Sequence, residues 1–519
     1  MKPNSNFRAL TGALAAALLV LCSCNPGPKY ARPSAPAPAA FKEAIPDQYK
    51  EGTGWKIAQP GDDKIRGKWW DMYEDPQLSA LEEQVQISNQ SIAASEANFR
   101  AARALVTSAR AALFPTVTAA PSITNSHFSQ TARGVGNVTA AGGTGGVVTT
   151  TSIPGSITTY SLPIDATWEI DFWHRIRNTI AVNAYQAQAS AGDLASALLS
   201  TQAELAQDYF QVRALDAQRK ILEDTLENYR RNVELTLSRF RGGIASEEDV
   251  AQAQNQLDTA TAQATDLGVA RAQNEHAIAM LIGKPPANFS LTVAKFTPKP
   301  PPVPVALPSE LLERRPDIAA AERRVAAANA QIGVARAAYY PNLTLSASGG
   351  LQTVNFAQWF TWPSRFWSVG PQLSQTLLDF GARRGQNLQA QAQYEQTVAN
   401  YRQTALTAFQ AVEDNLSTLR ILAQEVAEEH AAIGSASRYL DLSLTRYRAG
   451  VDSYLNVITA QNTVLTARET EVQIQSRQMT ASVALVMALG GGWDASQLPQ
   501  VSQLSSKASN TSGGTSGQP

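Results

Sequence analysis

The sequence predicts a mainly α protein with a transmembrane β part. Its two-fold internal repeat supplies long coiled-coil helical hairpins and four strands per protomer. Three observations predict this class. Two stretches some two hundred residues apart align at one register. Each copy holds a long proline-free run with apolar residues at helical spacing. Each copy also holds runs in which apolar and polar residues alternate, the pattern of strands with one oily face.

The repeat is clearest at Arg239–Gln254 and Arg446–Gln461. Here Arg239 pairs with Arg446, Phe240 with Tyr447, Arg241 with Arg448, Val250 with Val457 and Gln254 with Gln461. Gly243 and Gly450 also align, and a Gly between two helical patterns supplies the positive-φ residue that lets a chain double back. Each copy is therefore expected to be the tip of a helical hairpin. A second pairing, 109–115 against 335–341, precedes a strand-like run in both copies.

At 519 residues and a net charge of −1 with mixed signs, the chain lacks the basic block that a nucleic-acid surface requires. Its two cysteines, Cys22 and Cys24, sit beside an apolar run that follows Lys2 and Arg8. That run is too short to span a membrane and suits a secretory signal over 1–23. Leu21-Cys22-Ser23-Cys24 resembles the bacterial lipoprotein signal, which implies lipidation of Cys24, and Asn25 fits lipoproteins sent to the outer membrane.

Residues 24–68 read as a lipid-anchored extended segment, since Pro and Ala favour polyproline II over a packed element. The first repeat spans 69–283. Leu78, Leu81, Val85, Ile92, Phe99 and Val106 predict one helix from 77 to 114, stopped by Pro115. A strand pair follows over about 116–172. Within it Tyr160, Leu162, Ile164, Ala166, Trp168, Ile170 and Phe172 alternate with Ser161, Pro163, Asp165, Thr167, Glu169 and Asp171, and 132–159 is a Gly/Thr-rich loop. A helix from about Arg175 to Phe240, roughly 100 Å at 1.5 Å per residue, then reverses into a return helix of half its length ending near Ile282.

A Pro-rich linker, 284–308, leads to the second repeat at 309–495. There a helix over 317–340 precedes a strand pair at about 342–380, whose last member, Trp367 to Leu377, alternates least cleanly. A long helix from 384 to 447 and a return helix from 453 to 489 complete it, and 496–519 reads as a disordered tail. In each copy the shorter helix could stack end to end on the returning one. The strand pairs have too few neighbours to cover an apolar face, which a barrel assembled from several chains would cover with lipid. Trp168, Trp173, Trp359, Trp362 and Trp367 lie in or beside them, as an interfacial girdle requires.

Leu311-Leu312-Glu313-Arg314-Arg315-Pro316-Asp317-Ile318, with Ala321-Glu322, Ile332-Gly333-Val334-Ala335 and Tyr340-Pro341, resembles the signature of the outer-membrane factors of bacterial tripartite efflux systems. Trp69-Trp70, Asp75-Pro76, Leu378-Asp379-Phe380-Gly381 and the closing Ala488-Leu489-Gly490-Gly491-Gly492-Trp493 add to the resemblance, which covers 24–495. It implies a homotrimer with a twelve-stranded β-barrel continued by an α-barrel across the periplasm. The implied partners are a periplasmic membrane-fusion adaptor, an inner-membrane transporter of RND type and outer-membrane lipid. It also implies a periplasmic gate at the hairpin tips. Asp249 and Tyr447 match positions that link neighbouring tips, and Leu455 matches an apolar constriction. The tips carry Glu247, Glu248 and Asp249 in the first copy and Asp452 in the second; Thr459 stands where the family commonly has an acid, which leaves selectivity to Glu248 and Asp249.

The implied function is the exit duct of an efflux pump, located in the outer membrane and extending into the periplasm. The same architecture serves type I protein secretion, and a lipid-anchored periplasmic scaffold without a pore would share the helices but need no alternating strands. An enzyme is disfavoured. His127, His174, His276 and His430 are scattered, no HExxH or GxSxG occurs, and no cofactor or metal site is read.

Overall fold

The structure is a computed structural model that describes residues 25–35, 37–38, 41–43, 68–127, 156–301 and 311–505. Cys24, the leader 1–23, most of the Gly/Thr-rich loop, linker residues 302–308 and tail residues 506–519 lie outside the described residues. The chain divides into two compact units. One comprises 1–30, 104–183 and 327–394 and holds the sheet; the other comprises 31–103, 184–326 and 395–519 and holds the helical hairpins.

Both hairpins form with equal dimensions. α3 (Arg175–Arg241) and α4 (Glu247–Leu281) have 67 and 35 residues, as do α7 (Ala382–Arg448) and α8 (Tyr454–Ala488). The duplication read from the tips thus extends through the whole of each hairpin. No described helix is long and apolar enough to cross a membrane.

The expected single helix over 77–114 is instead two, α1 (Pro76–Ser88) and α2 (Gln90–Ala111), interrupted at Asn89. Asn89 has extended backbone, its Oδ1 accepts from the N–H groups of Ser91 and Ile92, and its Nδ2 donates to the Leu281 carbonyl at 2.7 Å. The joint therefore caps α2 and satisfies the last residue of α4 together. Apolar spacing could not show the break, because α1 and α2 keep their buried residues in near-continuous phase. In the second repeat α5 (Leu311–Arg314) and α6 (Pro316–Ala337) meet at Arg315, against the end of α8. The end-to-end relation expected of shorter and returning helices is present in both copies.

The hairpin unit is centred on a cluster built from Trp69, Trp70, Leu78, Leu81, Val85, Leu205, Tyr209, Ile278, Leu419 and Leu485 among others. Each such aliphatic side chain contributes about 1.5–3 kcal/mol on burial. Several segments expected to be loose belong to this unit. Arg271 Nη2 donates to the Leu291 carbonyl and Arg213 Nη1 to the Thr292 carbonyl, both at 2.7 Å, which pins the Pro-rich linker. Leu504, in the expected tail, is buried.

The N-terminal segment is extended as its composition predicts, but it is strapped down rather than free. Within the sheet unit Asn178 donates to Asn25, and Asn329 donates to the Pro28 carbonyl at 3.0 Å. Within the hairpin unit Arg32 donates to the Leu312 carbonyl, and Glu413 accepts from the Lys42 and Glu43 N–H groups. Residues 44–67 lie outside the described part.

The sheet comprises β1 (Thr116–Ala119), β2 (Ser122–His127), β3 (Ser156–Glu169), β4 (Asn342–Thr353) and β5 (Arg365–Ser374), all antiparallel. β1 and β2 pair with β3 in one continuous register, Thr116 opposite Thr167 and Ser122 opposite Ser161, so they are one strand interrupted at Ala120-Pro121. Pro121 has no N–H to give the ladder. Among the described residues this makes four strands, as expected. β3 begins at Ser156, inside the stretch read as loop, and the poorly alternating last strand is Arg365–Ser374, so Gln375 lies beyond it.

Candidate functional site

Directly opposed residues of an antiparallel pair point to the same face, so the registers assign every strand residue. One face carries Val117, Ala166, Ala347 and Val369 in a row, then Ala119, Ile164, Gly349 and Trp367, with Trp168, Leu345 and Pro371 on one side and Leu162, Leu351 and the terminal Arg365 on the other. The opposite face carries Thr118, Asp165, Ser348 and Ser368, and Thr116, Thr167, Ser346 and Gly370. On the apolar face Val117, Ile164, Trp367, Val369 and Leu373 are each more than half exposed. At one end of it Trp168 Nε1 donates to the Leu113 carbonyl and Trp173 Nε1 to the Pro341 carbonyl. At the other end Trp359 packs on Phe356, Phe360 and Tyr160. Trp168, Trp173 and Trp359 thus flank the oily band as expected, whereas Trp367 lies within it, in the row of Ile164 and Gly349.

The hairpin tips are built by the glycines. Gly243 and Gly450 adopt φ 72° and 75°, and a Cβ at either would meet no atom within 4 Å. The requirement there is conformational rather than spatial. Behind each glycine the chain closes back on its own helix, Ile244 N–H to the Arg239 carbonyl and Val451 N–H to the Arg446 carbonyl.

Past the turns the two copies differ chemically. Ser246 and Asp249 form a full capping box at the start of α4, with Asp249 Oδ2 accepting from the Ser246 N–H at 3.0 Å and from its hydroxyl at 2.9 Å. At the start of α8, Ser453 makes no such cap, and Asp452 serves instead. Its Oδ1 accepts from Asn456 at 2.6 Å and from the Ser453 N–H, and its Oδ2 from Arg446 at 3.1 Å. The Asn456 bond, followed by the Ser453 N–H and Arg446, holds the Asp452 carboxyl below the usual carboxylate range.

Tyr447 turns inward. It is buried with Tyr454, Ala253 and Val457, its ring 5.2 Å from that of Tyr454, and its hydroxyl has no hydrogen-bond partner. Burial raises the Tyr454 phenol well above its ordinary range, with smaller contributions from Tyr447, Tyr229 and Asp249. Leu455 is 56% exposed, and exposed Thr459 lies one turn on, its hydroxyl donating to the Leu455 carbonyl at 3.0 Å. Glu248 is exposed and accepts from Gln252. Asp249 and Tyr447 are therefore both near Tyr454, whereas Leu455, Thr459 and Glu248 face outward from this chain.

Two contacts between the hairpins were not anticipated. Arg239 Nη1 donates to the Tyr447 carbonyl at 2.9 Å, and its guanidinium lies 4.5 Å from the centre of the Tyr447 ring. Lower on the helices Gln256 bonds both Tyr229 and Asn462, joining α3, α4 and α8. A signal for the first existed: Arg446 is tied locally to Asp452, but the equivalent partner of Arg239 is Ala245, so Arg239 has no local acid to hold it.

The profile of the family described as "Outer membrane efflux protein" matches residues 81–284 and 307–491. The chain belongs to the outer membrane efflux protein family. Among curated relatives, the pyoverdine export outer membrane protein OpmQ of Pseudomonas aeruginosa is 30% identical over 485 residues, 93% of this chain and 96% of its own. The toluene efflux pump outer membrane protein TtgC of Pseudomonas putida is 28% identical, covering 93% and 95%. Among solved structures, the outer-membrane channel OprN superposes with TM-score 0.76 at 28% identity, over 91% of this chain and 100% of that one. The CmeC channel of Campylobacter jejuni, at 20% identity, 92% and 97% coverage and TM-score 0.80, shares the fold.

This member of the outer membrane efflux protein family is accordingly an outer-membrane channel that extends into the periplasm and forms the exit duct of an efflux pump. Its relatives are channel and efflux proteins rather than enzymes. No metal-holding cluster of His, Cys, Asp and Glu occurs among the described residues.

Proposed function

We propose that three copies of this chain close one twelve-stranded barrel and that the pore is gated at the hairpin tips. The single observation that supports the trimer is the open sheet. Its outer strands, β1/β2 and β5, each have one edge with no partner strand among the described residues, and its apolar face is exposed. Unpaired backbone groups cost several kcal/mol each in lipid, so a spanning sheet must close. Three chains supply an even number of strands and an opening wide enough to conduct.

Within this reading Cys24 is the lipidated residue, the apolar face meets lipid, and the polar face lines the lumen. Leu455 forms a ring of three near the axis, with Thr459 beside it and Glu248, Asp249 and Asp452 giving the entrance its negative charge. Asp249 and Tyr447 contribute weak links, worth about 1 kcal/mol each at such sites, which suits a gate that a periplasmic adaptor opens. The pump partner is an inner-membrane transporter of RND type. The cargo is small molecules, as the names of the antibiotic, toluene and pyoverdine relatives suggest. The chain has no enzymatic activity in this role.

The mass in mild detergent tests the trimer: a monomer with an intact circular-dichroism spectrum defeats it. Leu455→Ala combined with Tyr447→Phe tests the gate. Raised single-channel conductance and sensitivity to large antibiotics are expected, and unchanged conductance in an assembled trimer removes these residues from it. An export assay with a protein substrate distinguishes type I secretion.

A further inference from the structure

The polar face of the sheet has one break. Row by row it offers Thr116, Thr167 and Ser346, then Thr118, Asp165, Ser348 and Ser368, and, on the far side of the break, Ser122, Ser161 and Gln352. Between them lies a row with no hydrogen-bonding side chain on any strand: Ala120, Pro163, Gly350 and Phe366. Phe366 is the one aromatic residue on that face of the paired strands, and it is half-buried, whereas its neighbour Trp367 on the other face is 79% exposed.

Backbone geometry enforces this bare patch. A Cβ at Gly350 would stand 2.1 Å from the Leu162 carbonyl oxygen and 2.9 Å from the Pro163 Cα, so no side chain can occupy the position. Pro163 has no N–H, and Ala120 closes the ladder by donating to its carbonyl at 3.3 Å. The ring of Phe366 thus stands in an apolar row with hydroxyl groups on both sides and, on one of them, the Asp165 carboxyl, which accepts from the Ser348 hydroxyl at 2.5 Å.

We propose that Phe366 and this row form a contact site in the lumen for solutes with an apolar, aromatic surface. The inference rests on the trimeric barrel reading, in which the polar face lines the lumen and threefold symmetry sets three Phe366 rings at one height. An aromatic solute gains from the ring by stacking, and an aromatic cation also by cation–π attraction. The flanking polar rows offer such a solute no comparable surface. The contact is weak enough to let it leave, which a conducting site requires.

The test uses the full-length protein in planar bilayers with tetraphenylphosphonium as probe and tetraethylammonium as a cation of equal charge without rings. Tetraphenylphosphonium should block the wild-type channel more strongly than tetraethylammonium. Phe366→Ser should weaken that block by about three- to tenfold, and Phe366→Trp should retain it. Face assignment is read separately by introducing Phe366→Cys or Trp367→Cys and adding a membrane-impermeant thiol reagent, with unsubstituted protein as control. Labelling at 366 and not at 367 is expected. Labelling at 367 alone overturns the lumen assignment and the proposal with it. Labelling at 366 with block unchanged in Phe366→Ser overturns the solute contact and leaves the barrel reading intact.

Discussion

Asn89 and Arg315 occupy the same joint in the two repeats and hold it by different chemistry. The Asn89 amide donates to the Leu281 carbonyl at 2.7 Å, and the Arg315 guanidinium donates to the Ala488 carbonyl at 2.8 Å. Asn89 also caps the helix that follows it; Arg315 instead pairs in bidentate fashion with Asp317 in the first turn of α6, at 2.7 and 3.0 Å. In both, one side chain satisfies the end of a returning helix and organises the start of the next.

The joint yields a stability prediction. Asn89→Ala strands the cap N–H groups and the Leu281 carbonyl and should destabilise by about 1–3 kcal/mol. Asn89→Asp keeps the cap but sets a carboxylate against a carbonyl, so it should not restore the wild-type thermal midpoint. Equal midpoints for all three proteins would show that the joint is not stabilising.

Gly349 and Gly350 are adjacent but unequal. Alanine at 349 would meet ordinary contacts at 3.7 and 3.9 Å, whereas alanine at 350 would clash with backbone of β3. Gly350→Ala should therefore prevent pairing of β3 with β4 and abolish assembled, protease-resistant protein in outer-membrane fractions. Gly349→Ala should assemble normally, and equal assembly of the two variants would contradict the register.

Glu82 is fully buried on α1, and neither carboxyl oxygen has a hydrogen-bond partner. Burial alone raises its pKa from 4.5 to about 9, so the group is neutral at pH 7. Because the folded form holds the proton more tightly than the unfolded chain, the penalty is absent below about pH 4.5. It grows as pH rises to about 9 and is constant above. Glu82→Gln should thus gain stability over wild type, by on the order of a few kcal/mol, as the pH of a thermal-unfolding series is raised across that window. A constant difference at every pH would show that Glu82 does not titrate on unfolding.

The Arg239 contact with Tyr447 predicts a role for a residue outside the resemblance-derived gate. Arg239→Ala removes a charge-assisted bond and a cation–π contact between the hairpins, together about 1–3 kcal/mol, and should raise the frequency of channel opening. Arg239→Lys should fall between. Unchanged opening in Arg239→Ala would confine the gate to the residues already named.

Much of the architecture was legible because it is written in local periods. The hairpin reversals at Gly243 and Gly450 follow from one backbone requirement, and the faces of β3 and β4 follow from the two-residue repeat. The broken first strand was only faintly visible, since Ala120-Pro121 interrupts its alternation. The break in the helix over 77–114 is invisible in the sequence because Asn89 sits between two segments of matching apolar phase, and its amide finds its partner in the distant Leu281 carbonyl. The composition of the N-terminal segment dictates an extended chain but not the polar groups that strap it down.

By itself the sequence determined the duplication, the equal hairpins, the two-faced strands and the family, since each is written in short local patterns that can be compared without knowing what they touch. Tertiary structure decided which partner each polar side chain takes. Arg446 finds Asp452 six residues away, but its counterpart Arg239 reaches Tyr447, 208 residues distant. Gly350 is indispensable only because the Leu162 carbonyl is packed against it. Periodicity encodes the face a residue occupies, whereas hydrogen bonds and close contacts depend on what another part of the chain brings to that face.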